Sequence, residues 1–487
     1  MKQLFFGLIL SCVVGNVAAQ ELFQRVYGGD GYDSGSEVIE LNDGSFLIAG
    51  SSGSYEVGMS SQIMLLKANE TGHKQWTETY GGQFADRAES MVQDVDGNFL
   101  IAGYSETTEN SYQGYALKVD GNGDTIWTRK YGGDAWDFFH QALALNDGGF
   151  ALFGQTYSFG AGEGDYYLVR IDADGDTLWT RTYGGALDVE GKSISAALDG
   201  GFFLGGNTGS FGIGAANMLV VRTDAMGDTL WTDVHGGVED DFCNAIAATA
   251  DGGYVIAGGT YNQTPGKSDV LIQKERGTQT WSISETHDGD SEATDVIIES
   301  GSQNVTIAAI ASPGDNGGVD GRIVRYGADG VWNGVAKSHG SENIDKTFDI
   351  KRTSDNGYAL VGTTDGYLGR FDDVWLVKTN SAGLTVGPQL GVNEIALGGK
   401  LFAARFAPNP ISDNSRFLIE GFEELRASLS GNLSITVYDA LGRQLISEQI
   451  KSGITPIDLS HLADGVHHYQ LTTDDRLLAT GKLIKVN

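Results

Sequence analysis

Cysteine, proline, positive charge and long apolar runs are all scarce in this chain of 487 residues. Of its 2 cysteines, Cys12 falls in a leader-like N-terminus. That leaves Cys243 without an intrachain partner and excludes a disulfide framework. Beside Asn244-Ala245-Ile246-Ala247, Cys243 reads as a small core residue. Only 6 prolines stand against 71 glycines, and no three-residue glycine period is present, which excludes a collagen-like chain. The glycine instead fits many short turns that need positive φ. Lys+Arg total 32 against 64 Asp+Glu, a formal net charge of −32. Such a surface repels phosphates and anionic lipid, so no nucleic-acid partner is expected. Beyond the leader, no apolar run is long enough for a transmembrane segment, and no stretch carries convincing helical periodicity.

Residues 1–19 read as a signal peptide: Lys2, the apolar run Leu4–Leu10, then Val17-Ala18-Ala19 before Gln20. Leu10 and the very short apolar run before Cys12 do not suit a lipoprotein anchor. From residue 20 to 386 the chain repeats itself. Tyr27, Tyr80, Tyr131, Tyr183, His235, His287 and His339 are anchors spaced by 53, 51, 52, 52, 52 and 52 residues. Tryptophan keeps step at Trp76, Trp127, Trp179, Trp231, Trp281 and Trp332. Each unit reads as four strands, with Asp/Gly turns between aromatic and β-branched runs such as GFALFG at Gly149–Gly154. Four antiparallel strands per ~50 residues make a blade, and seven anchors make a seven-bladed β-propeller. Six or eight blades stay open, because the unit around Asn304–Ala311 is degenerate. The stretch 21–27 resembles a lone fourth strand and the last unit lacks one, so the N-terminal strand is expected to complete the final blade.

After a linker at 387–403, residues 404–487 hold alternating runs and short turns that suggest a small β-sandwich, which keeps the fold class all-β. The motifs here are Pro408-Asn409-Pro410, Val437-Tyr438-Asp439 followed by Leu441-Gly442-Arg443, the Leu462-x-x-Gly465 turn, and a terminal strand opening with Gly481-Lys482. The segment resembles the type A C-terminal sorting domain of type IX secretion cargo in Bacteroidetes. His467 departs from that pattern, which usually carries tyrosine there; His467-His468 is expected on a strand surface. The resemblance implies that the type IX secretion machinery is a partner. It also implies export across the outer membrane, and display on the cell surface or release. Pro408, Asn409, Pro410, Asp439, Gly442, Gly465 and Lys482 would then be the sorting signal.

Chemistry is less legible. The turn Asp172-Ala173-Asp174-Gly175-Asp176 fails the EF-hand pattern, and its relatives at 120–124 and 224–228 vary the ligands freely. It reads as a capped hairpin turn, with calcium as the open alternative and no other cofactor expected. Six residues past the anchors stand Asp33, Asp86, Asp137, Asp241 and Asp345; Val189 and Ala293 interrupt the series. Alternate connections of a meander share a face, so these aspartates would lie on the longer-loop face. Trp136, Tyr157, Phe159, Phe211, Tyr261 and Tyr367 would join them there. Carboxylates beside aromatics suit sugar or cation binding, with Asp33, Asp86, Asp137, Trp136, Tyr157, Asp241 and Asp345 as the candidates. The alternative is that each aspartate closes a turn or bonds a neighbouring backbone. One tryptophan per blade is expected to fill the wedge between sheets. Histidine in register with tyrosine implies shared packing, with no metal expected. No Ser/His/Asp elbow, zinc motif or phosphate loop stands out, so no catalytic residue is assigned. The reading is a secreted, non-catalytic binding or adhesion module for a glycan or protein. A polysaccharide hydrolase or lyase using Glu163, Glu190 or Glu239 is the first alternative, and a ligand-free surface spacer the second.

Overall fold

In the computed structural model the described residues are 22–28, 31–54, 60–108, 111–264, 266–365 and 372–385, then 394–397, 400–407, 416–419, 422, 426, 429, 432–439, 443–463, 465–473 and 477–485. The N-terminal leader, Tyr367, Pro408, Asn409, Pro410 and Gly442 lie outside them.

Seven four-stranded antiparallel sheets follow one another along the repeat region. Blades one to six run from the first to the fourth strand in chain order, over residues 33–80, 86–131, 137–183, 189–235, 241–285 and 291–339. Blade seven takes three strands from 345–379, and its fourth is the N-terminal strand Phe23–Tyr27. Phe23 pairs with Lys378 and Tyr27 with Val374, so the two ends of the repeat region share one sheet. Thr385 clamps that joint, its hydroxyl lying 3.1 Å from the Phe23 carbonyl and 2.7 Å from that of Lys378. The expected closure is therefore formed, and the degenerate sixth unit is a complete blade.

Apolar clusters form between blades as well as within them. Phe23, Tyr27, Val374 and Leu376 of blade seven pack with Val38, Phe46, Met64 and Leu66 of blade one, all buried. Each such side chain contributes about 1.5–3 kcal/mol when removed from water. Anchor tyrosines add a polar stitch across the same seams. The hydroxyls of Tyr27, Tyr80, Tyr131 and Tyr183 donate to the carbonyls of Gly72, Gly123, Gly175 and Gly227, in the Asp/Gly turn of the next blade, at 2.5–2.7 Å. Where histidine replaces tyrosine the stitch changes: His235 Nε2 lies 2.8 Å from the Tyr254 hydroxyl. Asp172 Oδ1 accepts the amides of Asp174 and Asp176 at 3.0 and 2.9 Å, which is the capped-turn geometry. Cys243 is free and fully buried, as a small core residue would be.

Five of the six tryptophans pack against the clusters between blades, but only at the outer edge of the wedge and not as its filling. They occupy the outermost strand, where Trp76, Trp127, Trp179, Trp231 and Trp281 are half-buried and Trp332 is 61% exposed. Their indole N–H groups reach sideways instead: Trp127 donates to the Ala173 carbonyl at 3.1 Å and Trp281 to that of Ala328 at 3.0 Å. The wedge is filled by middle-strand residues such as Phe150, Phe153 and Tyr166.

Around the axis, the first strand of every blade carries a β-bulge, at Ser36, Glu89, His140, Lys192, Asn244, Thr294 and Phe348. A bulge turns the backbone so that one amide loses its ladder partner. A side chain from the preceding blade supplies it. Met91 N–H donates to Glu37, Ala142 to Ser90, Ile194 to Gln141, Ile246 to Ser193, Ile350 to Asp295 and Val38 to Asp349, at 2.7–3.2 Å. Ala245 interrupts the ring, and there the Asn244 amide donates to the Ala293 carbonyl at 2.9 Å. In six blades a glycine within the second strand faces the bulge. A Cβ on Gly154, for example, would fall 2.1 Å from the Phe138 carbonyl oxygen.

The C-terminal region forms two further four-stranded sheets. One joins Glu394–Leu397, Lys400–Ala407, Arg416–Ile419 and Ile454–Pro456; the other joins Gln444–Gln449, Ser434–Tyr438, Gly465–Thr472 and Leu477–Lys485. Phe417 and Ile419 from the first pack with Ile435, Val437, Tyr469 and Leu471 from the second, which makes the expected sandwich. The stretch 387–403 is not all linker, since the strand Glu394–Leu397 and the start of Lys400–Ala407 pair within it. His467 is buried, with Nε2 2.8 Å from the Ala463 carbonyl, so it does not lie on the strand surface.

Two expectations follow. Tyr131→Phe leaves the Gly175 carbonyl without its donor, so urea unfolding should show a loss of about 1 kcal/mol at unchanged m-value. At the axis, Glu37, Asp295 and Asp349 crowd around Lys351, whose Nζ is 2.8 Å from Glu37 Oε1. Burial pushes Asp349 up to about 7, with Lys351 opposing and Asp295 adding to it. Its folded value exceeds the unfolded ~3.9, so its protonated form stabilises the fold and that contribution falls as pH rises from about 4 to about 7. Asp349→Asn keeps an acceptor for Val38, and its melting midpoint should be flatter than the parent's over that window.

Candidate functional site

The anchor loop and the loop between second and third strands meet on one face in every blade. Tyr157 N–H donates to the Trp136 carbonyl at 2.7 Å, and equivalent bonds join Gly53 to Tyr32, Gly209 to Asp188 and Tyr261 to Asp240. Each pair of loops forms a lip around the axis.

The five aspartates of the sequence series do not face this surface. Asp33, Asp86, Asp137, Asp241 and Asp345 each begin a first strand and are 0–3% exposed. Asp137 is typical: Oδ2 accepts from Gly133 N–H at 2.9 Å and Ser158 Oγ at 2.7 Å, and Oδ1 accepts from Thr156 Oγ1 at 2.5 Å. Asp241 accepts from Gly237 N–H and the Asn262 amide at 2.6 and 2.7 Å. Each of these carboxylates is buried and accepts hydrogen bonds from its own loop, so they close loops and do not line the longer-loop surface.

Trp136 and Tyr157 are where the sequence reading put them. They are 45% and 38% exposed, with ring centroids 6.1 Å apart. The structure adds three rings that sequence reasoning did not single out. Tyr112 lies 6.0 Å from Trp136 and 5.7 Å from Phe138, and Phe138 lies 5.0 Å from Tyr104. Phe138 also stacks on His140, the bulge residue of blade three, at 6.5 Å. A ribbon of aromatic faces and edges therefore runs from the rim at Tyr157 to the axis. Phe159 and Phe211 are exposed elsewhere on the same face.

Beside the ribbon, a cavity of about 920 Å³ opens between the loops of blades seven, one and two. Tyr32, Arg87, Glu89, Lys346 and Phe348 line it, with Ser34 and Ser36 at its wall. Ser36, Glu89 and Phe348 also line the narrow axial space with His140, Lys192 and Asn244. Enclosure there raises the Glu89 carboxyl above its usual range, opposed by Arg87 and Lys192. Burial and Lys192 lower His140 to about 4, so it is neutral at physiological pH. These bulge residues differ in all seven blades, and because their neighbours along the strand vary as well, no sequence motif marks them.

The three acids named for a hydrolase are dispersed. Glu163 is an exposed loop residue, and Glu190 is held by Lys192 at 2.5 Å and by the Asn207 amide at 3.3 Å. Glu239 lines a separate cavity of about 440 Å³ with Phe242 and Tyr261. Among the described residues, no three His, Cys, Asp or Glu side chains converge as a metal cluster. In the sandwich, Asp439 closes a turn by accepting Arg443 N–H and Nε at 2.9 and 2.6 Å. Gly465 pairs with Lys485, and Lys482 with His468.

Comparison with known proteins places these parts. The regulatory protein FlaEY of Caulobacter vibrioides is 30% identical over 118 residues, which span 22% of this chain and only 12% of that relative. Among solved structures, the extracellular domain assigned to a hybrid two-component system of B. thetaiotaomicron aligns with 96% of this chain and 59% of its own length, at 11% identity and a TM-score of 0.41. An α-L-arabinanase of Penicillium chrysogenum, complexed with arabinobiose, aligns over 75% of this chain and 98% of its own, at 11% identity and a TM-score of 0.43. Residues 406–486 match the family described as the secretion system C-terminal sorting domain. That domain marks a type IX sorting C-terminus, and the seven-bladed repeat protein that carries it is exported to the cell surface or the extracellular space.

Proposed function

We propose that the longer-loop face binds a glycan without cleaving it. The observation that carries this reading is the ribbon of Tyr104, Tyr112, Trp136, Phe138 and Tyr157 beside the cavity between blades seven, one and two. Sugar rings present apolar C–H faces and polar edges, and partly exposed aromatic rings flanked by hydroxyls suit both. Ser34, Ser36, Arg87 and Lys346 supply hydrogen-bonding groups at the end of the ribbon. The scaffold remains the same under each blade, so specificity would come from loop and bulge residues that differ. Export by the sorting domain would put this face in contact with extracellular polysaccharide.

A hydrolase is the second reading, favoured by Glu89. Its carboxyl is raised by enclosure and lines the cavity, as a general acid would be. The two readings separate in one set of assays on the full chain. Binding predicts measurable affinity for one polysaccharide class with no release of reducing ends. Trp136→Ala or Tyr112→Ala should then weaken that affinity about tenfold or more, ~1.4 kcal/mol, at unchanged melting midpoint. Release of reducing ends that disappears in Glu89→Gln would replace binding by hydrolysis. Unchanged affinity in both aromatic variants would remove the ribbon as the site.

A further inference from the structure

Where one blade meets the next, the head of a third strand faces the head of a following first strand. The two side chains that meet there vary from seam to seam. At two seams an amide meets an acid: Gln62 with Asp86 around Gly81, and Asn217 with Asp241 around Gly236. Between blades six and seven an acid meets an acid. A Cβ on Gly340 would fall 2.3 Å from Asp320 Oδ1 and 2.9 Å from Asp345 Oδ2, so two carboxylates from different blades converge on one glycine. The same substitution recurs at the closing seam, where a Cβ on Gly28 would meet Asp373 Oδ1 at 1.6 Å and Asp33 Oδ2 at 3.0 Å.

The Asp320–Asp345 seam is electrostatically incomplete. Both residues are 0% exposed. Asp320 Oδ2 accepts from Asn316 N–H at 2.8 Å, while Oδ1 has no hydrogen-bond partner. Asp345 Oδ2 accepts from the Ser341 amide and hydroxyl at 2.6 and 2.7 Å. Among the described residues, no Lys, Arg or His pairs with either acid, and Asp315 adds a further negative charge nearby. Burying like charges without a counter-ion is strongly unfavourable. Burial pushes Asp320 up to about 6, with Asp345 and Asp315 adding to the shift, so above that pH the seam carries uncompensated charge.

We propose that the seam between blades six and seven binds a hard divalent cation of calcium's size, with Asp320 Oδ1 and the Asp345 carboxylate as protein ligands. Calcium takes six to eight oxygens in irregular geometry, so two carboxylates can be completed by main-chain carbonyls and water; magnesium's strict octahedron suits such a seam less well. The cation would join blade six to the blade that holds the N-terminal strand, and so couple ring closure to extracellular calcium.

The test is thermal unfolding and calorimetric titration of the full chain at pH 7.5, in chelator and then in calcium about tenfold above the ~10⁻⁴–10⁻³ M range of extracellular modules. The expected result is a melting midpoint raised by about 2–4 °C. Asp320→Asn, which reproduces the amide–acid pair of the Asn217 seam, should fold, melt at or above the parent in chelator, and lose the calcium response. Asp174→Asn, on an exposed Asp turn, should retain it. A parent without a calcium response, whose stability in chelator falls between pH 5 and 7 and does not fall in Asp320→Asn, would mean that the acids share a proton, which overturns the proposal. A full response in Asp320→Asn, or its loss in Asp174→Asn, would place the cation elsewhere and overturn it equally.

Discussion

Main-chain amides left over by the axial bulges are the constraint on which the rest of the ring depends. A bulge in each first strand turns one N–H out of its own sheet, and an amide buried near the axis must find an acceptor. Glu37, Ser90, Gln141, Ser193, Asp295 and Asp349 provide it, each from the blade before. In six of the seven blades the acceptor comes from the blade before, so the bulges tie neighbouring blades together around the circle. The N-terminal strand in blade seven, the tyrosine stitches and the indole contacts on the outer edge hold the same circle from its other radius.

That arrangement separates what must repeat from what is free to vary. The acceptors that follow six of the bulges are tied to backbone partners, and the aspartates that head five of the first strands to partners in their own loops. The bulge residue itself points at the axis, and only Ser36 and Asn244 among the seven also bond a carbonyl of the next blade. Ser36, Glu89, His140, Lys192, Asn244, Thr294 and Phe348 occupy one geometric position in seven blades with seven side chains. Chemistry on a symmetric ring needs such a position. The loops of blades two and three exploit a similar freedom, where Tyr104, Tyr112, Trp136, Phe138 and Tyr157 have accumulated. Export by the sorting domain puts these loops outside the cell.

Architecture was readable because it repeats. The anchors at about 52 residues gave the blade count, and a lone strand facing a unit short of one gave the closure. The site was harder for the same reason. The aspartate series attracted notice because it recurs, yet a residue that recurs in a ring is usually holding the ring; Asp137 closes its loop with three hydrogen bonds. Five of the tryptophans pack between blades as expected but only at the outer edge, because a repeat pattern does not say which strand is outermost. Phe138 and Glu89 were missed because position-to-position variation carries no motif. Glu394–Leu397 is too short to announce a strand, and pairing with Lys400–Ala407 is what defines it.

The most direct test of this division between scaffold and site is hydrogen–deuterium exchange of the full chain with and without a bound polysaccharide. Slowed exchange confined to the longer-loop face, at residues 31–36, 104–108, 111–113, 136–140 and 344–348, is the expected result. Slowing at the Asp turns of the opposite face, such as 172–176 and 224–228, would contradict the account, as would tight binding that slows neither face.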